Sequence, residues 1–241
     1  MDVARIAEGL HEHTAAFAKA VAGADPETVV PTCPDWPLRV LVGHIGQAHR
    51  WAAGIVASGP APVPDPFDAE PGEWSSWLRE GADQLADAVL AAGDRPVWTY
   101  LGERKAAFWL RRMTHDTCVH YADAALATGT PFTVAPDLAA DAISEWLAVL
   151  ADPAARTIRP AFAELRGSGQ TLSFRTDTEG WLVTRTPDGV EWTRGTGVAD
   201  ATLTGPVADL LLVLTRRRPP DLVTVAGDRA LLDHWLAHTA A

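Results

Sequence analysis

MTHDTCVHYAD, residues 113–123, decides how this chain is read. It lies in a strongly helical stretch, about 103–128, that stops at Gly129, a natural helix cap, with Pro131 just beyond. Asp116 and His120 stand four residues apart in it. Residues at i and i+4 project from one helix face, so a carboxylate and an imidazole converge on one point. The same face carries Trp109, Met113, Ala124 and Ala127, an apolar stripe turned toward a core. An ionised carboxylate in such a stripe is costly unless paired or metal-bound, so Asp116 calls for a partner.

CPDWPLRVLVGHIGQAHRW, residues 33–51, offers the third group. Pro37 suits the first turn of a helix over about 37–58, whose inward face reads Leu41, His44, Ala48, Trp51 and Ile55. Two imidazoles and one carboxylate from two helices form an open site for zinc, nickel or iron, with positions left for water or substrate. The plainer alternative is a solvated Asp116/His120 pair and a His44 satisfied within the core. His49 and His115 lie off the two ligand faces, and His11 and His13 are expected at the surface. Asp123, one turn beyond His120, either orients that imidazole or is an exposed acid. Cys118 is mid-helix, away from the helix N-terminus that would make it a reactive thiol.

Outward from this pair, the first half reads as helices joined by proline-rich loops. Residues 3–21 place Val3, Ile6, Leu10, Phe17 and Val21 at broadly helical spacing. DPETVVPTCPDWP (25–37) is read as a loop, and GPAPVPDPFDAEPG (59–72) is too proline-rich for regular helix. A third helix spans about 73–92 through Trp74, Trp77, Leu78, Leu85 and Val89, and a fifth spans 136–151 through Ile143, Trp146, Leu147 and Leu150. Short connections favour an antiparallel bundle over 1–153. The pattern then changes. QTLSFRT (170–176), WLVTRTP (181–187), VEWTR (190–194), DATLTG (200–205) and LVTVAG (222–227) read as strands, with Asp188-Gly189 as a hairpin signal. A helix opened by Pro206 carries Leu210, Leu211 and Leu214, and a closing helix carries Leu231, Leu232, Trp235 and Leu236. Residues 154–241 are thus expected to form a small α+β domain.

Composition bounds the function. A net charge of -11 over 241 residues argues against nucleic acid and anionic membrane surfaces as partners. No apolar run reaches the length of a membrane span, and the N-terminus lacks the basic-then-apolar plan of a signal peptide. Two cysteines, Cys33 and Cys118, suit a reducing cytoplasm, so a cytoplasmic monomer or homodimer is expected. Arginine outnumbers lysine 18 to 2, a GC-rich coding bias of the kind high-GC bacteria show. Arg216, Arg217 and Arg218 form the one dense basic cluster; they bind a substrate carboxylate, or simply end a helix in solvent.

CPDWPLRVLVGH (33–44), RRMTHDTCVHYAD (111–123) and VAGDRALLDHWLAH (225–238) together resemble the mycothiol-dependent maleylpyruvate isomerase-like proteins, relatives of the DinB-like metal-binding bundles. The resemblance covers nearly the whole chain. It implies a DinB-like helical bundle followed by a sterol-carrier-like α+β domain. It also implies a divalent metal, commonly zinc, held by His44, Asp116 and His120, with Asp116 standing where the family typically has Glu. The implied chemistry uses mycothiol, the low-molecular-weight thiol of actinobacteria, as cosubstrate. Thiol addition to an activated double bond permits rotation and then elimination, and other relatives look like thiol S-transferases. An arginine of the second domain, Arg217 the nearest match, would bind a substrate carboxylate. The leading expectation is therefore a metal- and thiol-dependent isomerase or S-transferase acting on a small electrophile. The alternatives are a non-catalytic ligand-binding or regulatory relative, and a metal-dependent hydrolase that needs no thiol.

Overall fold

The computed structural model describes residues 1–65, 67 and 70–239, so Pro66, Asp68 and Ala69 of the proline-rich connection lie outside the described residues. The chain divides into two compact units, 1–134 and 135–241.

The first unit is built on four long helices: α1 (Val3–Ala20), α2 (Leu38–Ser58), α3 (Trp74–Ala92) and α4 (Ala107–Thr128). Helix α1 packs on α3 and α4, and α2 packs on α3 and α4. Asp2 caps α1 by accepting from the Arg5 amide at 2.7 Å, which satisfies one of the donors that a helix start leaves open. Gly129 closes α4 in the left-handed conformation, φ 69°, as its position after the apolar stripe predicts. Helices α2 and α3 approach closely because a Cβ on Gly81 would lie 2.9 Å from the Gly46 carbonyl oxygen, a space no other residue leaves open. Trp109 anchors the end of the unit away from Gly129. It is fully buried, packs against Trp51, Trp98, Tyr100 and Phe108, and its Nε1–H donates to the Trp98 carbonyl at 2.9 Å.

Two short hairpins complete this unit, and neither is foreseen from the sequence. β1 (Val29–Val30) pairs with β2 (Cys33–Pro37) just before α2, within the stretch read as loop. β3 (Pro96–Val97) pairs with β4 (Arg104–Lys105). The second hairpin holds residues 104–105 extended, so α4 starts at Ala107 and not at 103.

The second unit begins with α5 (Pro136–Ala151), which the sequence reading assigns to the bundle. The boundary therefore falls at 134/135 and not at 153. The reason is polar as well as apolar: Ser144 of α5 accepts from Trp181 Nε1 at 2.8 Å and from Arg194 Nη2 at 2.9 Å, tying the helix to the sheet. After the short α6 (Ala155–Ile158) come β5 (Thr171–Arg175), β6 (Gly180–Thr186), β7 (Gly189–Arg194), β8 (Ala201–Thr204), α7 (Val207–Leu214), β9 (Thr224–Gly227) and α8 (Arg229–His238). The strands form one sheet in the order β7-β6-β5-β8-β9, antiparallel except for the β5/β8 pair. Leu172, Phe174, Trp181, Val183, Ala201 and Leu203 alternate onto one buried face, as period-2 patterning requires. The expected strands and helices of this region are all present. Among the described residues, no helix is long and apolar enough to cross a membrane.

Candidate metal centre

Helices α2 and α4 bring His44, Asp116 and His120 together. Each offers one ligand atom, and the three atoms lie within 4.8 Å of one another, in partly buried positions. The imidazoles of His44 and His120 stand edge to face, centroids 5.3 Å apart. Zinc bonds of about 2.0–2.2 Å put neighbouring ligand atoms about 3.3–3.6 Å apart, so small side-chain adjustments close the set around an ion. Asp116 places a carboxylate oxygen within 4.8 Å of a ring nitrogen of each imidazole.

Buried groups behind these three fix their orientation. Asp123 is fully buried, and its Oδ2 accepts from His120 Nδ1 at 2.8 Å. Its other oxygen accepts from the Thr32 hydroxyl at 2.6 Å. With its proton engaged at Nδ1, His120 keeps Nε2 as the lone-pair nitrogen, the tautomer that a metal ligand needs. Thr32 lies in the turn between β1 and β2, and Trp36 of β2 packs against both imidazoles, centroids 4.9 Å from His44 and 6.2 Å from His120. Arg112 Nη2 donates to Asp116 Oδ1 at 3.4 Å; the two side chains are 11% and 28% exposed. A carboxylate has two oxygens, so this contact and a metal bond are compatible.

Electrostatics favour a neutral imidazole at His44. Burial pulls the pKa of His44 below its ordinary 6.5, and the neighbouring His120 pulls the same way, with Asp116 opposing. The donor set, the fixed His120 tautomer and the lowered His44 pKa all fit a divalent cation.

Other predicted residues fall elsewhere. His49 is fully buried on α2, and its Nε2–H donates to the Thr117 hydroxyl at 2.7 Å. Thr117 in turn donates to the Met113 carbonyl. His11 is exposed beside Asp83, but His13, expected at the surface, is buried with Nδ1 donating to the Thr114 carbonyl at 3.1 Å. The signal was available. Helix positions two apart point about 200° apart, so only one of the pair can face solvent, and His13 falls in step with Leu10, Thr14 and Phe17. His115 is buried outside the ligand set. Burial pushes the Cys118 thiol up to about 12, so it is no nucleophile. Arg217 lies in the second unit, buried, donating to the Thr215 carbonyl at 2.8 Å. With Arg216, Arg218 and Arg229 it lines a cavity of about 450 Å³.

Losing a supporting carboxylate typically costs 10–100-fold in metal affinity. Asp123→Asn is accordingly expected to weaken zinc binding about 10–100-fold, measured by chelator competition, with the helical circular dichroism unchanged. An unchanged affinity would show that Asp123 does not orient His120.

Comparison with known proteins gives a consistent result. The Mycothiol maleylpyruvate isomerase N-terminal domain matches residues 7–125, and the MDMPI C-terminal domain matches residues 137–234. The fold is similar to the crystal structure of the mycothiol-dependent maleylpyruvate isomerase, with a TM-score of 0.61 at 14% identity over 94% of this chain and 93% of that one. A histidine-to-alanine variant of that enzyme gives 0.60 at 14% identity and the same coverage. A search of curated proteins finds no match. Two domain matches, in the order of the two compact units and spanning most of the sequence, show that the chain belongs to the mycothiol maleylpyruvate isomerase family.

Proposed function

We propose that this protein is a metal-dependent enzyme that uses a low-molecular-weight thiol, mycothiol, to isomerise a small electrophile or transfer the thiol to it. His44, Asp116 and His120 are its metal ligands. The observation that carries this reading is the convergence of three donor atoms within 4.8 Å, in a family whose solved relative bears the name mycothiol-dependent maleylpyruvate isomerase. When bound, a divalent ion, zinc foremost, supplies the positive charge that favours thiolate over thiol. The chain does the rest. Burial keeps His44 a neutral donor, Asp123 holds the proton of His120 at Nδ1, and Asp116 adds a negative charge balanced by Arg112.

Arg217 is assigned the recognition of a substrate carboxylate, supported by the four arginines that line one cavity of the second unit. Its replacement by alanine is expected to raise KM for a carboxylate substrate roughly 10–100-fold, the worth of a charge-assisted hydrogen bond. An unchanged KM would remove Arg217 from the site.

The test is turnover of maleylpyruvate by the purified protein with mycothiol, after chelation and after zinc is restored. The reading predicts activity only when thiol and metal are both present. Turnover that persists without thiol would instead favour a hydrolase, and no turnover with both would contradict the proposed reaction.

A further inference from the structure

The β1–β2 hairpin, which sequence reasoning takes for a loop, touches the candidate metal centre at two points. Thr32 donates to Asp123, which accepts from His120, and four residues later Trp36 lays its indole against both imidazoles. The indole lies nearly parallel to the His120 ring, 26° between planes, and tilted 55° to His44. An imidazole on a helix can rotate about two side-chain torsions. The Asp123 bond restrains His120 through one nitrogen only, and a flat aromatic neighbour restrains the remaining freedom of the ring plane. Among the described residues, Trp36 is the one aromatic side chain that packs against both ligand rings, and it also packs against the buried core of the first unit.

We infer that Trp36 is a positioning residue of the metal centre: its indole, anchored by the hairpin to the core of the first unit, sets the planes of His44 and His120 and so preorganises the ligand set. This rests on the metal-site reading above and adds a residue to it. The aromatic face carries the effect, so phenylalanine should largely replace it and alanine should not. Trp36 is also near enough to the ligands for a bound paramagnetic ion to quench its fluorescence.

The experiment compares wild type, Trp36→Phe and Trp36→Ala in the full chain. Zinc affinity is measured by chelator competition, cobalt-induced quenching of tryptophan emission is recorded, and folding is followed by circular dichroism. Trp36→Ala is expected to bind zinc about 10–100-fold more weakly, the range for other groups that orient metal ligands. Trp36→Phe is expected to stay within about 3-fold of wild type, inside that lower bound, while losing the share of the cobalt quench that Trp36 contributes among the ten tryptophans. Wild-type affinity in a folded Trp36→Ala overturns the inference, as does a Trp36→Phe protein impaired as severely as Trp36→Ala. If Trp36→Ala does not fold, Trp36→Leu takes its place: weakened zinc binding in a folded Trp36→Leu beside near-wild-type binding in Trp36→Phe supports positioning, and wild-type affinity in Trp36→Leu overturns it. Wild-type protein that binds neither zinc nor cobalt overturns the metal-site reading itself, a result distinct from any of these.

Discussion

His44→Ala and His120→Ala are each expected to abolish stoichiometric zinc binding, with affinity falling more than 100-fold, beyond the roughly 10–100-fold typical of losing a supporting group. The two variants are not equivalent controls. Removing His120 also takes a donor from Asp123, a carboxylate with no exposed surface, and stripping a hydrogen-bond partner from a buried group costs about 1–3 kcal/mol. His44 is half-buried, and the contacts that identify it are to the Trp36 and His120 rings, so its truncation disturbs the core less. A fold-neutral loss of zinc in His44→Ala is therefore the cleaner result. Zinc retained at wild-type affinity in both variants would show that the three side chains meet for some other reason.

The second large effect is acid sensitivity of the fold. His13 and His49 are both buried, and both have their pKa lowered from 6.5 to about 4, chiefly because burial penalises the charged ring. For His13, the Thr114 carbonyl and Glu12 oppose that fall, while His115 and Arg5 assist it. For His49, Asp116 and the Leu78 backbone oppose it, while Arg50 and His44 assist it. The sign follows from linkage. Between the folded and unfolded pKa values the unfolded chain holds more protons, so stability rises with pH through that window. The contribution of each neutral ring is complete above about 6.5 and is lost as pH falls toward 4. One pKa unit is worth about 1.4 kcal/mol, so each histidine accounts for on the order of 3 kcal/mol at most. Two together rival the marginal stability of an ordinary domain, about 5–15 kcal/mol. Urea midpoints at pH 7 and pH 4.5 should therefore differ strongly, and a His13→Gln/His49→Gln double variant should flatten that difference even if it is less stable at pH 7. An equal pH dependence in the double variant would place the acid sensitivity in other groups.

Much of this arrangement was legible in the sequence for a physical reason. A helix puts i and i+4 on one face, so the side chains of Asp116 and His120 were bound to lie close together, and the apolar stripe around them accounts for their partial burial. The strands were visible because alternation with a buried face leaves a period of two, as in Trp181, Val183 and Arg185. What escaped were features without a period. The β1–β2 pairing is short, shifts register between Val29 and Val30, and sits among prolines, yet it supplies Thr32 and Trp36 to the centre. An amphipathic stripe says that α5 has a buried face, but not which unit buries it; Ser144 meeting Trp181 and Arg194 settles that, and no local pattern encodes it. His49 lies off the His44 face, so spacing alone gives it no inward role. Helix α2, however, packs against both α3 and α4, so it has more than one inward face.

The most direct measurement is the zinc stoichiometry of the 241-residue chain, titrated against a chelator of known affinity. One equivalent bound by wild type, and none by His44→Ala, is the predicted result. A wild-type protein that takes up no zinc, nickel or cobalt would contradict the convergence of His44, Asp116 and His120 on a single cation.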